Sequence, residues 1–249
     1  MVAAYGGVYH GAMSEEPSQT AYNRLAHRLL TEALSCVGRI DRVILAYALP
    51  DSQPGYSVCA SIAHASPGLS SAFAVADQGS TAPFTALRIA GETFEDSPDA
   101  RAMVIALDQS MLPWDSPPGT PVPERDLGVA LLLEGGGQPQ GGAPGPGLLL
   151  HWQTTLVDEA GAEQAVQAVL SDARARILGP LTLILGPHVP RPSSPGQGVT
   201  VRRSPSDLVC TSVWHEAHNA GMASGTAVVV VEYDPALGYF GAIAMSQEE

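Results

Sequence analysis

Apolar positions along the chain alternate between two periods. From Pro17 to Gly38, Tyr22, Leu25, Ala26, Leu29, Leu30, Ala33 and Leu34 recur at helical spacing, so the pattern predicts a helix that stops before Gly38. Arg42–Tyr47 (RVILAY) is an almost unbroken apolar run, the signature of a strand buried on both faces. The same reading predicts a helix over Gly55–Ala65, a strand over Ala72–Ala76 and a helix from Thr81 to about Phe94. Strands follow at Arg101–Asp108 and Leu127–Glu134. Gly135–Gly147 (GGGQPQGGAPGPG) cannot hold a regular element, because glycine raises the entropy of ordering and proline removes donors.

Beyond that linker the order recurs. Strand Leu148–Thr155, helix Glu159–Ile177, strand Leu181–Leu185, strand Val199–Arg203, helix Ser206–Ala220 and strands Thr226–Tyr233 and Leu237–Ala244 complete the chain. Each half follows β-α-β-α-β-α-β-β, except that HVPRPSSPGQG stands where the second half's middle helix would be. Alternating strands and helices imply an α/β fold with right-handed crossovers and sheets covered on both faces. The expected organisation is two pseudo-repeated halves, residues 1–134 and 148–249, joined by the linker 135–147.

Composition narrows the functional classes. The 249 residues are 45% hydrophobic and 15% charged, enough for a sizeable core. A net charge of −13 opposes nucleic acid and anionic membrane surfaces. The 12 basic residues are all arginine, which with the many Ala, Gly and Pro residues matches the coding bias of a high-GC bacterial genome. The 3 cysteines, Cys36, Cys59 and Cys210, have no metal-ligand spacing and form no disulfide framework. Without a cationic, apolar leader or a long apolar span, the expectation is a soluble cytoplasmic protein with no metal or resident cofactor.

Chemistry enters at Val75–Ala90, VADQGSTAPFTALRIA, where a strand turns into a helix. Ser80-Thr81-Ala82-Pro83-Phe84-Thr85-Ala86-Leu87 resembles the A-C-x-G-F-x-x-A-L motif of the ketosynthase III-like branch of thiolase-fold condensing enzymes, with Thr81 in the position of the nucleophilic cysteine. Pro187-His188 resembles the start of the family's P-H-Q-A-N motif, and Cys210-Thr211-Ser212 its N-T-S, with Cys210 in the place of asparagine. Glu232–Gly238 replaces a glycine-rich hairpin loop with a bulkier, acidic turn. A carboxylate there opposes a developing oxyanion.

The resemblance covers most of the chain and implies a thiolase-like fold. It carries Thr81, His188 and Cys210 onto the catalytic positions and Ser80, Phe84 and Ser212 onto the substrate site. Ala72, Phe73, Val75 and Gln78 fall where members of the family pair with a partner, as a homodimer or as a heterodimer with another ketosynthase-like subunit. Acyl-CoA or an acyl carrier protein is the implied acyl donor. Two of three catalytic positions differ, so the first reading is a non-condensing subunit that supports an active partner in bacterial specialised metabolism. The alternatives are a non-decarboxylating acyltransferase and a non-catalytic module that binds acyl groups or a carrier protein.

The residues themselves carry plainer readings. Thr81 is either a surrogate nucleophile or a helix N-cap whose oxygen accepts a backbone N–H. His188 either orients a thioester or is a structural remnant. Cys210 is either a thiol activated by a helix N-terminus or a core residue, and Cys36 and Cys59 are read as core. His215, Glu216 and His218 lack the i,i+4 histidine spacing of a zinc site and are read as a solvated helix face. Asp77-Gln78 and Asp108-Gln109 are polar pairs at strand ends, suited to an interface or the edge of an active site.

Overall fold

The computed structural model describes residues 21–52, 56–66, 68–112, 114–116, 118–135, 147–155, 157–177, 179–220 and 227–246. Most of the expected linker, positions 136–146, and the expected start of the first helix before Ala21 lie outside the described residues. The elements run α1 (Ala21–Val37), β1 (Arg42–Tyr47), α2 (Val58–Ala65), β2 (Ser71–Val75), α3 (Ala82–Asp96), β3 (Arg101–Asp108) and β4 (Leu127–Glu134). The second half follows with β5 (Gly147–Thr154), α4 (Glu159–Arg176), β6 (Leu181–Leu185), β7 (Val199–Arg203), α5 (Ser212–Asn219), β8 (Ala227–Asp234) and β9 (Tyr239–Ser246).

The duplication seen in the hydrophobic pattern is present in the sheets. The first has strand order β2-β1-β3-β4 and the second β5-β9-β8-β6-β7. In each, two parallel pairings are followed by one antiparallel hairpin: β1 with β2 and β3, then β3 with β4; β6 with β7 and β8, then β8 with β9. Strands β1, β2, β3 and β4 therefore correspond to β6, β7, β8 and β9, and α3 corresponds to α5. No helix lies between β6 and β7 among the described residues, as the Pro-rich segment predicts.

Five layers result. Helices α1 and α2 cover the outer face of the first sheet, and α4 covers that of the second. Between the sheets sit α3 and α5, in a core that takes Ile44, Val104 and Ala106 from one sheet and Ile184, Val230 and Ile243 from the other. Phe84 of α3 meets Trp214 of α5 with ring centroids 5.0 Å apart and planes tilted by 46°, an aromatic contact across the pseudo-repeat. The second sheet comes so close to α3 that a Cβ on Gly241 would lie 2.7 Å from the Phe84 ring, so only glycine fits without displacing it.

Several element ends differ from the sequence expectation for local reasons. Helix α5 begins at Ser212, not Ser206, because Asp108 takes the N–H groups of Val209, Cys210 and Thr211 that a longer helix would use. Strand β8 runs on through Asp234, which places Glu232 and Asp234 in a sheet and confines the turn to residues 235–238. Cys36 is exposed, so it is not a core residue, while Cys59 is half-buried and packs against the core of the first half. No helix among the described residues is long and apolar enough to cross a membrane.

Candidate functional site

Two corresponding turns face each other at the centre. The first leads from β2 to α3. Asp77 and Gly79 take left-handed backbone angles, φ 62° and 53°, and a single 3-10 turn over Gly79–Thr81 passes into α3, with Pro83 in the first turn. The second leads into α5 through Cys210 and Thr211. Thr81 and Thr211 have nearly the same backbone, φ −90° and ψ −2° against φ −91° and ψ −12°, at the N-cap positions of α3 and α5.

Each turn is held by an aspartate from the other half. Asp108, the last residue of β3, accepts hydrogen bonds from Val209 N (3.0 Å), Cys210 N (3.0 Å), Thr211 N (2.9 Å) and Thr211 Oγ1 (2.6 Å). Asp234, the last residue of β8, accepts from Ser80 N at 3.1 Å and, through its other oxygen, from Ala236 N and Leu237 N of its own turn. Its carboxylate lies so close over Gly79 that any Cβ there would overlap it. Burial pushes the Asp108 carboxyl above its ordinary range, and its four donors pull it back.

Thr81 is fully buried but does not cap α3 in the expected sense, because its side chain accepts no backbone N–H. Its hydroxyl donates to Gln78 O at 2.8 Å, and its own N–H donates to the same carbonyl at 3.1 Å. Cys210 is also fully buried, and its thiol donates to Gly79 O at 3.3 Å, so the two turns touch directly. Burial pushes the Cys210 thiol well above its ordinary value, and the charges of Asp108, Glu232 and Asp234 push it further. Burial and these charges favour the protonated thiol, the opposite of activation by a helix terminus.

Glu232 completes the cluster. Val228 and Val230 face α3 and α5, so strand alternation points Glu232 and Asp234 into the same central layer. One Glu232 oxygen accepts from Tyr233 N at 2.9 Å, while the other is buried without a hydrogen-bond partner. The carboxyl sits against Gly186, where a Cβ would overlap it. Burial drives its pKa well above the ordinary glutamate value, and the neighbouring Asp234 and Asp108 add to this.

His188 stands apart. It is exposed in the turn after β6, has no hydrogen bond among the described residues, and is not brought to Thr81 or Cys210 by any contact. Arg203 pins that turn by donating to Gly186 O, Pro187 O and Val189 O. Of the substrate-site residues, Ser80 gives its N–H to Asp234, Phe84 is core, and Ser212 bonds Ser204 and Pro205 O. Ala72, Phe73 and Val75 lie on β2, the edge strand of the first sheet. Gln78 accepts from Thr85 and from Gln153 of β5, tying that edge to the second half.

Residue by residue, then, Thr81, Ser80 and Cys210 converge while His188 does not. Of the residues that hold the centre, Asp108 falls in a strand-end pair that the sequence suits to an interface or active-site edge, Glu232 and Asp234 fall in the segment it reads as an acidic turn, and Arg203 has no sequence reading. A signal existed: RAMVIALD and AVVVVEYD both end in aspartate at the eighth and last residue of corresponding strands. Glu216 pairs with Arg202 and His215 with Asn219. Among the described residues no group of His, Cys, Asp and Glu is arranged to hold a metal ion.

No protein-family model and no curated protein matches the chain by sequence. Solved structures do match it. The condensing enzyme AbyA1, described as a tetronic acid condensing enzyme, is 14% identical, superposes with TM-score 0.64, and pairs 90% of this chain with 82% of its own. The 3-oxoacyl-(acyl carrier protein) synthase III of Pseudomonas aeruginosa PAO1 is 17% identical at TM-score 0.60, over 91% of this chain and 84% of that one. ChlB3, described as an acyltransferase, is 13% identical at TM-score 0.64, over 99% of this chain and 89% of that one. The chain thus has the thiolase-like fold. It shares this fold with condensing enzymes and with a protein described as an acyltransferase.

Proposed function

We propose that the chain is a non-condensing subunit of ketosynthase III-like architecture that supports an active condensing partner. One observation carries this reading: the backbone donors of the turn before α3 are already committed inside the protein. Ser80 N–H goes to the Asp234 carboxylate and Thr81 N–H to Gln78 O. An oxyanion forming beside Thr81 would find a carboxylate where it needs donors, and transition-state charge of that sign is destabilised by it. Among the described residues the Thr81 hydroxyl bonds Gln78 O and meets no base, and a threonine without one is a poor nucleophile at neutral pH. Direct acyl transfer through His188 has no comparable support, since the imidazole is exposed and unconnected to the two turns.

The edge strand β2 supports the partner half of the reading, because its outer backbone groups lack a neighbouring strand in the sheet order. The test is turnover of acyl-CoA and malonyl-carrier-protein thioesters by the purified chain, alone and co-expressed with condensing enzymes encoded beside it. The expected result is no condensation and no acyl adduct by intact-protein mass for the chain alone, with a stable heteromer and raised turnover in the pair. A Thr81→Cys variant is expected to stay inactive alone. Condensation or an acyl adduct by the wild-type chain alone would overturn the proposal.

A further inference from the structure

Arg203 and Glu232 are a cation without an anion and a carboxyl without a donor, on either side of one glycine. The Arg203 guanidinium donates to Gly186 O at 2.8 Å, Pro187 O at 2.9 Å and Val189 O at 3.0 Å, and among the described residues it forms no ion pair. Glu232 is buried, with one oxygen on Tyr233 N and the other without a partner. Gly186 touches both: its carbonyl accepts from Arg203, and a Cβ on it would overlap the Glu232 carboxyl. Within the turn itself, the one backbone bond is from Val189 N to Gly186 O, at 3.2 Å. Asp234 from the same strand, Asp108 from the end of β3 and the Cys210 thiol from the turn before α5 face Glu232, with Arg203 of β7 as the cation. His188 stands exposed on the turn.

We propose that Glu232 and Arg203 form a proton-operated latch on the turn over residues 186–189. With Glu232 protonated, a neutral carboxyl packs under Gly186 while Arg203 clasps the three carbonyls. Once Glu232 ionises, a buried charge with an empty acceptor faces two aspartates, and such a charge is costly unless paired. Arg203 is the group placed to pair with it, through a charge-assisted hydrogen bond stronger than its bonds to neutral carbonyls. Because Gly186 lies against both side chains, they meet only as the turn gives way, which releases the segment carrying His188. The latch is therefore closed at low pH and open above the native pKa of Glu232, which burial, then Asp234 and Asp108, raise from the ordinary glutamate value. Neither Glu232 nor Arg203 enters the supporting-subunit reading, so the two proposals are tested apart.

Nuclear magnetic resonance of the intact chain tests this, following the Glu232 side-chain carboxyl carbon and the Val189 amide from about pH 5 to 9. A His188→Gln background removes the titration of the neighbouring imidazole. The expected result is one shared midpoint, with the Val189 amide shifting and losing protection from hydrogen exchange as the carboxyl ionises. Glu232→Gln is expected to abolish the Val189 transition and hold the low-pH position. Arg203→Gln, at an exposed side chain, is expected to loosen the turn at every pH, abolish the transition, and move the Glu232 midpoint upward by removing the nearby cation. A carboxyl that titrates while Val189 stays fixed overturns the proposal, as does a carboxyl with no midpoint in this range. So does a Val189 transition that survives in either variant. If Glu232→Gln does not fold, the shared midpoint and Arg203→Gln decide.

Discussion

The two turns at the centre use one device at two strengths. Asp108 gives its whole carboxylate to the opposite half, taking three consecutive N–H groups and a hydroxyl. Asp234 gives the opposite half one bond, to Ser80 N, and keeps two for its own hairpin. The turn before α5 is therefore anchored across the interface, while the turn before α3 is chiefly covered. The position that resembles a nucleophile site is the weaker of the two.

The sharpest way to break this comparison is Asp108→Ala. It strands three buried N–H groups and a hydroxyl, and should cost about 3–5 kcal/mol, seen as a fall of roughly 10 °C or more in melting temperature. Asp108→Asn, which keeps an acceptor oxygen, should cost less. A loss from Asp108→Ala no larger than that from a surface aspartate would sink the anchoring argument.

Next in size is a pH effect from Glu232, whose counterpart on β3 is Ala106. Its pKa is raised on folding from the ordinary value of 4.5, so the folded protein favours the protonated carboxyl more than the unfolded chain does. Stability is then highest at or below that pH and declines as pH rises toward the native pKa, by up to about 1.4 kcal/mol per pH unit. Urea melts across pH 5 to 8 should show Glu232→Gln flattening the slope. An unchanged slope would mean that the carboxyl is ionised in the folded protein.

Asp234→Ala should cost about 1 kcal/mol, well below Asp108→Ala, since two of its three lost bonds are in a surface hairpin. Equal losses for the two aspartates in parallel melts would erase the asymmetry. Smallest is Thr81→Val, which removes one donor to Gln78 O at nearly constant volume and should cost about 0.5–1 kcal/mol, measurable by the same melts.

Much of the fold was legible because buried strands and amphipathic helices leave strong periodic marks, and because the marks came twice. The departures share one cause: contacts between the halves. Residues 206–211 carry a helical pattern, yet Asp108 from a distant strand claims the N–H groups of Val209, Cys210 and Thr211. The site was legible as positions but not as chemistry. Thr81 and Cys210 were identified by motif, while their partners come from the ends of β3 and β8, which local sequence does not pair with them. Cys36 differs from its core reading because a small residue on a helix fits either face, and the turn of the helix decides its exposure.

The crossed aspartates also bear on how the chain folds. Each half, expressed alone, would lack the carboxylate that closes its own turn, and would present Phe84 or Trp214 to water without the ring it packs on. The repeated unit is thus not an autonomous folding unit. Acquisition of native structure should be a single cooperative event coupled to docking of the halves, and two separately made fragments should gain order only when mixed.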